Sequence, residues 1–525
     1  MRRTIAVMAL TATALSGIPA VPPAAAAGPV TDAAVRCPSL AGLPVPAAAI
    51  GLPSRGGEVV SATLDRNGFC LVRGTVRGFD PEAPDIELQV NLPTSWNRKS
   101  VQFGGSGFNG TVVTGLDVAP GFVNTDPAQG RPPIDRGYAT FGSDGGTDPS
   151  GSFALNEEAM ANFAGESVKR TRDAAMAIIR TYYNAEPGKQ YYVGGSKGGH
   201  EGLVAAQRYG ADYDGIIAYY PAIENQAMMI SWHRMWKQAY SPGGYLDPAD
   251  QQLVTNAVYR TCDKLDGTVD GLISNVRGCD KAFSMNSLRC RTATSDTCLT
   301  RKQIRTMRTA SSRHKFAFPL ANGVTEMGPY PFLRGADLDM LLDREGNAEA
   351  AGYLTLLNPV IRYFIMQDGN ASTANFDYRE HEKRVKQLSR LLATTDPDVD
   401  RFARDGGKLI IVQGTLDVLV PAELNNAYYE RMAARYGPSI RDFARYYVQP
   451  GLAHATGRFD LAWDSLTALD DWASRDEPPV NPVATDAVPA NEHRTRPLCE
   501  YPLWPKYKGH GDVDQAKNFS CAGRR

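Results

Sequence analysis

Residues Tyr191–Gly202 read YYVGGSKGGHEG, one serine framed by glycines at the end of an apolar run. Gly194-Gly195-Ser196-Lys197-Gly198 fits the pattern G-x-S-x-G, which places a serine on a tight turn between a strand and a helix. Glycines are needed there because the chain reverses within one residue and the strained serine backbone crowds its neighbours. The apolar residues up to Val193 lead into the turn, and a segment carrying Leu203 and Val204 leads out. The competing reading is an anion-binding loop at a helix N-terminus. A phosphate loop of the form G-x-x-x-x-G-K-[ST] is absent from this stretch.

Working outward, alternating strand and helix patterns flank the serine. Ile86, Leu88, Val90 and Leu92 alternate with polar residues before Pro93, which predicts a strand. Lys99 to Phe103 and Tyr138 to Gly142 read as further strands, and the first opens into the loop GGSGFNG, Gly104 to Gly110. Glu157 to Tyr183 has helical spacing, Gln190 to Val193 is a strand, Gly199 to Arg208 a helix and Gly215 to Tyr219 a strand. This order implies a mostly parallel sheet covered on both faces, an α/β fold. The alternation stops near Pro221 and resumes with KLIIVQG, Lys408 to Gly414. A helix at Ala422 to Tyr436, a strand at Ala444 to Gln449 and a helix at Leu461 to Ala473 follow. Residues 222–403 therefore read as an insertion between core segments 28–221 and 404–525. Asp476 to Asn491 reads as a proline-rich linker to a cysteine-bearing tail.

The chain has 525 residues, a formal net charge of −1 and no long run of one sign, which argues against nucleic-acid or anionic-membrane partners. Residues 1–27 read as a secretory signal peptide: two arginines, a short apolar stretch, then Ala-x-Ala sites ending near Ala26 or Ala27. The apolar run is too short to span a bilayer, so the mature protein is expected to be secreted. Eight cysteines in an exported chain suggest disulfides, although spacing alone does not fix connectivity. Close neighbours suggest Cys262–Cys279, Cys290–Cys298 and Cys499–Cys521, leaving Cys37 for Cys70; free buried thiols are the alternative. No CxxC occurs, so zinc and thioredoxin-type readings lack support.

A serine hydroxyl becomes a nucleophile when an imidazole accepts its proton and a carboxylate holds that imidazole. In hydrolases of this kind the chain order is Ser, acid, His. After the sheet resumes, His454, His493 and His510 are available; His454 lies in QPGLAHATG, a glycine loop just after a strand, whereas the other two lie in linker and tail. Asp417 sits in the turn directly after KLIIVQG, where an N-cap or turn aspartate is the competing reading. Glu423 lies in the following helix and Asp405 precedes the strand, so both are worse placed. An oxyanion hole needs two N–H donors, one expected from the Lys197 amide and one from the loop Gly104 to Gly110. Lys197 and His200 flank the turn and either line the pocket or lie on the surface.

CDKLDGTVDGLIS, Cys262 to Ser274, repeats aspartate at Asp263, Asp266 and Asp270 around two glycines. Hard oxygen ligands on such a loop suit Ca²⁺ in a structural role, with Thr268 and Leu272 placed to donate carbonyls. The spacing departs from an EF-hand, and a plain polar turn is the competing reading.

Together these pieces resemble the tannase and feruloyl esterase family across nearly the whole mature chain. The likeness rests on GGSGFNG, the serine turn, CDKLDGTVDG, the Asp417 and His454 loops and the tail RTRPLCEYPLWPKYKGHGDVDQAKNFSC. It implies an α/β-hydrolase fold with a large lid domain inserted between the nucleophile and the catalytic acid. It further implies a triad of Ser196, Asp417 and His454, oxyanion donors Gly107 and Lys197, and the four cysteine pairs suggested above. For Ca²⁺ it implies Asp263, Asp266 and Asp270 with the carbonyls of Thr268 and Leu272. One departure matters: the family usually bridges a cysteine before the serine to one after the histidine, and here those positions are Gly195 and Ala455. The resemblance predicts that a cysteine pair placed at 195 and 455 would close.

The expected function is hydrolysis of aromatic, hydroxycinnamate-type carboxylic esters, free or attached to plant polysaccharide or polyphenol. Galloyl and terephthalate-type esters are alternative substrates. A secreted binding protein on an inactive hydrolase scaffold is the reading from another class. Trp232, Trp236, Phe332, Phe364 and Arg334 in the insertion are the candidates for setting specificity, or else core residues.

Overall fold

A computed structural model describes residues 35–116, 131–291, 297–373, 375–491 and 493–523. Residues 1–27, expected to be a signal peptide, lie outside the described residues. The centre is a ten-stranded sheet built from β1 (Pro44–Val45), β2 (Gly57–Leu64), β3 (Phe69–Val76), β4 (Ile86–Pro93), β5 (Lys99–Phe103), β6 (Ala139–Ser143), β7 (Lys189–Gly195), β8 (Gly215–Tyr219), β11 (Lys408–Gly414) and β12 (Ala444–Gln449). Between β8 and β11 in the chain lies a short hairpin, β9 (His314–Lys315) with β10 (Glu326–Met327). The sheet order is β1-β2-β3-β4-β6-β5-β7-β8-β11-β12. Strands β1 to β4 and β6 pair antiparallel, and every pair from β6–β5 to β11–β12 is parallel. The parallel strands are buried apolar runs such as GIIAY and KLIIVQG, as expected for a sheet covered on both faces. Sequence patterning starts this sheet at Ile86; the structure adds β1 to β3 as an antiparallel extension at one edge.

The helical stretch expected over 157–183 is interrupted. Helix α1 (Glu157–Ala161) passes through a wide turn, Asn162–Glu166, before α2 (Ser167–Tyr183). Gly165 has φ 121°, and a Cβ there would fall 2.5 Å from Val204 Cγ1, so the glycine allows this turn to press onto helix α3 (Lys197–Arg208). The helix expected from Leu461 begins later, at Ser465, because Asp464 caps it through the Thr467 amide. Leu461–Ala462 is instead strand β13, in a small sheet with β14 (Val483–Asp486) and β15 (Thr495–Pro497). The expected linker is therefore partly built into the fold, with Asp486 fully buried and ion-paired to Arg494.

Residues 222–403 are mainly helical, including α4 (Asn225–Ala239), α5 (Pro248–Cys262) and α6 (Val276–Ala282). Their apolar residues, among them Met228, Trp232 and Phe364, form one continuous core with Leu203, Ile216 and Leu409 of the sheet layer. Four disulfides join Cys37–Cys70, Cys262–Cys279, Cys290–Cys298 and Cys499–Cys521.

Candidate active site

Strand β7 delivers Ser196 to a turn, and α3 begins at the next residue. Ser196 has φ 58° and ψ −116°, a conformation that L-residues rarely adopt and that surrounding structure must impose. Its amide donates to Tyr219 O at 3.0 Å, which fixes the turn to the end of β8. A Cβ on Gly194 would lie 2.6 Å from the Gly198 backbone, and one on Gly198 would lie 2.8 Å from Gly105 O. The first clash explains how strand and helix pack at one residue's distance. The second explains how the loop 104–110 comes to face the serine.

His454 Nε2 lies 2.9 Å from Ser196 Oγ, and His454 Nδ1 lies 2.8 Å from Asp417 Oδ2. A carboxylate opposite Nδ1 requires that nitrogen to carry the proton, which leaves Nε2 free to accept from the serine hydroxyl. Asp417 is fully buried, and its Oδ1 accepts the amides of Leu419 and Val420 at 2.9 and 2.8 Å. These bonds orient the carboxylate toward the imidazole. Asp417 follows β11 and His454 follows β12, the neighbours next in line after β8. The rival residues stand elsewhere: His493, His510 and Asp405 are exposed, and Glu423 pairs with Arg334.

The amide of Lys197 is the first of helix α3 and so has no acceptor within the helix. Gly107, at φ 55°, lines the same pocket as Ser196 and Lys197. One residue that sequence reasoning missed holds these parts together. Glu201 Oε1 accepts from Lys197 Nζ at 2.9 Å and Asn109 Nδ2 at 2.8 Å. Its Oε2 accepts from Tyr192 Oη at 3.0 Å and the Gly105 amide at 3.2 Å. Burial alone would push this carboxyl up, but the Lys197 ammonium and the neighbouring donors hold it below the ordinary value. The Lys197–Glu201 spacing, four residues apart in a helix, was the available signal. His200 is buried against Leu392 O, and burial followed by the Lys197 charge lowers it to about 3, so it stays neutral.

The family model for tannase and feruloyl esterase matches residues 70–522 of this chain. The chain belongs to the tannase and feruloyl esterase family. It is 36% identical over 528 residues to an uncharacterized esterase of Agrobacterium fabrum, covering 94% of each chain. It is 27% identical over 522 residues to the mono(2-hydroxyethyl) terephthalate hydrolase of Piscinibacter sakaiensis, covering 86% of this chain and 84% of that one. The solved structure of feruloyl esterase B from Aspergillus oryzae superposes with a TM-score of 0.76 at 21% identity, covering 93% of this chain and 100% of that one. The chain is thus a carboxylic ester hydrolase of the tannase and feruloyl esterase type, with the α/β-hydrolase fold.

In this tannase-family esterase the pocket beside Ser196 is walled by Phe108, Phe163, Met228, Met229, Trp232 and Val420. Lys197 Nζ sits 4.6 Å from the centre of the Phe163 ring and is already paired with Glu201. Of the insertion candidates, Trp232 reaches this pocket, with its Nε1 buried. Phe364 lies one layer behind, packed on Phe108 and Phe163. Trp236 lines a separate cavity with His233 and Arg362. Phe332 is buried and stacked on Tyr330, and Arg334 is held by Asp280 and Glu423 at a third cavity.

The aspartate loop lies between α5 and α6, closed by the Cys262–Cys279 bridge. Asp263 Oδ1 accepts the amides of Asp270 and Gly271, Asp266 Oδ2 accepts that of Ser274, and Asp270 pairs with Arg496. Among the described residues no amide donates to the carbonyls of Thr268 or Leu272. Three carboxylates and two free carbonyls are the donor chemistry of a hard cation site. Among the described residues, however, no three acidic, histidine or cysteine side chains stand together at ligand distance. The donor types of the loop suit Ca²⁺, while the described residues form no coordination shell. No helix among the described residues is long and apolar enough to cross a membrane.

Proposed function

We propose that the protein is an exported serine esterase that hydrolyses hydroxycinnamate-type aromatic esters through Ser196, His454 and Asp417. The observation carrying this reading is the relay of 2.9 and 2.8 Å from Ser196 Oγ through His454 to buried Asp417, opening onto an apolar, aromatic-walled pocket. As Oγ attacks the acyl carbon, His454 Nε2 takes its proton. The amides of Gly107 and Lys197 stabilise the oxyanion, and His454 returns the proton to the departing alcohol. Water then attacks the acyl-enzyme by the same relay and releases the acid. Ca²⁺, held by Asp263, Asp266 and Asp270 with the carbonyls of Thr268 and Leu272, would stiffen a loop whose Leu272 packs on Gly451 and Leu452, just ahead of His454.

The pocket favours a ring without a free carboxylate. Its cation, Lys197, is neutralised by Glu201, so a terephthalate monoester would bury an unpaired charge. Methyl ferulate is accordingly expected to exceed the terephthalate monoester in kcat/KM, with a gallate ester as the third arm. The test uses protein recovered from the culture medium, its N terminus following Ala26 or Ala27. Ser196→Ala is expected to lower kcat on methyl ferulate by about 10³-fold or more and to abolish labelling by a fluorophosphonate. Unchanged turnover in that variant would overturn the triad, and absence of labelling in the parent would favour a binding protein on this scaffold.

A further inference from the structure

Gly195 precedes the nucleophile, and its backbone does not demand glycine: its φ is outside the left-handed region where side chains are strained. What forbids a side chain is one aromatic ring. A Cβ on Gly195 would lie 2.9 Å from Tyr220 Cε2, 3.1 Å from its Cζ and 3.0 Å from its Oη. Tyr220 is fully buried, so the ring has no room to swing away. The same ring packs against the imidazole of His454, with centroids 4.7 Å apart and planes inclined at 53°.

The backbone at this point is also unusual. Tyr220 follows β8 with φ 32°, a left-handed conformation disfavoured for a bulky residue. Its amide donates to Val412 O at 2.6 Å, which locks the residue to the strand that leads toward Asp417. Ala455, next to His454, is likewise at φ 77° and packs on the cluster that contains Tyr220. Strain of this kind persists where surrounding contacts impose it, and it concentrates at functional sites. Among the described residues the buried Tyr220 hydroxyl has no hydrogen-bond partner. A phenylalanine would avoid that cost, so the feature the site uses is the ring's volume.

Hydrogen bonds hold two points of the imidazole, Nδ1 to Asp417 and Nε2 to Ser196, and both lie in the ring plane. Two in-plane bonds leave the ring free to tilt about the line joining them. A wall on one face removes that freedom. We infer that Tyr220 is a positioning residue: its ring fills the space between residue 195 and the His454 loop and clamps the face of the imidazole in register with Ser196 and Asp417. Gly195 is then glycine because Tyr220 occupies the place of its side chain. The expectation that cysteines at 195 and 455 would bridge is amended accordingly: with Tyr220 present, the 195 side chain has no room.

This inference rests on the Ser196–His454–Asp417 reading, whose own failure would appear as turnover retained in Ser196→Ala. Tyr220→Ala is expected to lower kcat on methyl ferulate on the order of tenfold to a hundredfold with KM within about twofold, because misplaced catalytic groups slow chemistry rather than binding. Fluorophosphonate labelling of Ser196 should slow in parallel, and Tyr220→Phe should restore both. A parental kcat in Tyr220→Ala would overturn the inference, and so would a Tyr220→Phe variant as slow as the alanine. A second measurement reads the packing of the ring rather than turnover. Gly195→Cys with Ala455→Cys should keep two free thiols, by mass spectrometry of the non-reduced protein, while Tyr220 is present. Adding Tyr220→Gly should let the pair close. A bridge formed beside an intact Tyr220, or none formed after its removal, would refute the placement of the ring.

Discussion

Glu201 is the single carboxylate that ties the nucleophile helix to the loop facing it, since its two oxygens serve Lys197, Asn109, Tyr192 and the Gly105 amide. Removing one partner of a buried pair strands the other charge, at a cost of about 3–5 kcal/mol. Glu201→Ala is therefore expected to lose about that much stability by denaturant titration and to lower kcat by loosening the Gly107 loop. A variant as stable as the parent would show that the network is not what supports the loop. At this scale Ser196, Asp417 and His454 could be nominated from sequence, because a motif and a chain order point at them. Glu201 could not, although its spacing from Lys197 was visible: on an ordinary helix such a pair lies in solvent, and burial is decided by distant residues. Tyr220 was hidden for the same reason, as its significance depends on two loops that meet it only after folding. Trp236, Phe332 and Arg334 illustrate the reverse, residues of suggestive type that packing directs elsewhere, Trp236 and Arg334 to other cavities and Phe332 into the core.

Elements with strong periodicity were legible, and those shaped by tertiary contact were not. Ile86–Pro93 announces its strand by alternation of apolar and polar residues, and Lys408–Gly414 and Ala444–Gln449 by short apolar runs that suit burial on both faces. In β2, by contrast, Val59 is buried while Val60 is exposed, and polar residues thin the pattern. The turn at Asn162–Glu166 interrupts a helical spacing that continues across it, because Gly165 yields to Val204. The loop between α5 and α6 carries the calcium reading, which is tested at this same scale. Added EGTA is expected to lower the thermal midpoint of the protein, and excess Ca²⁺ to restore it. Asp266→Asn should abolish the EGTA effect, and an unchanged midpoint on chelation would remove calcium from the account.

Across the whole molecule, the insertion and the sheet share one core, so titration inside the insertion reports on global stability. Glu224 precedes α4 and is fully buried, with both oxygens facing Ser389 Oγ of the helix Glu382–Leu392. Burial raises its carboxyl from 4.5 to about 8. The folded state therefore favours the protonated form. Its contribution to stability is complete below the ordinary value and is lost as pH rises through about 8. Glu224→Gln, which cannot ionise, should flatten this decline. Thermal midpoints of parent and variant between pH 5 and 9 check it: the glutamine form should gain on the parent as pH rises, and parallel curves would contradict the assignment.

Strands β8 and β11 are hydrogen-bonded neighbours, with Gly215 opposite Lys408, yet residues 220–407 intervene. During synthesis the serine turn is complete long before the chain that carries Asp417 and His454 emerges. Closing so long a loop is also entropically slow. With the proposed triad, a nascent or truncated chain holds an unarmed nucleophile, and turnover is expected to switch on with the last parallel pairings. In refolding experiments the return of esterase activity is a clock for that final pairing, and it should lag the return of tryptophan fluorescence from the insertion.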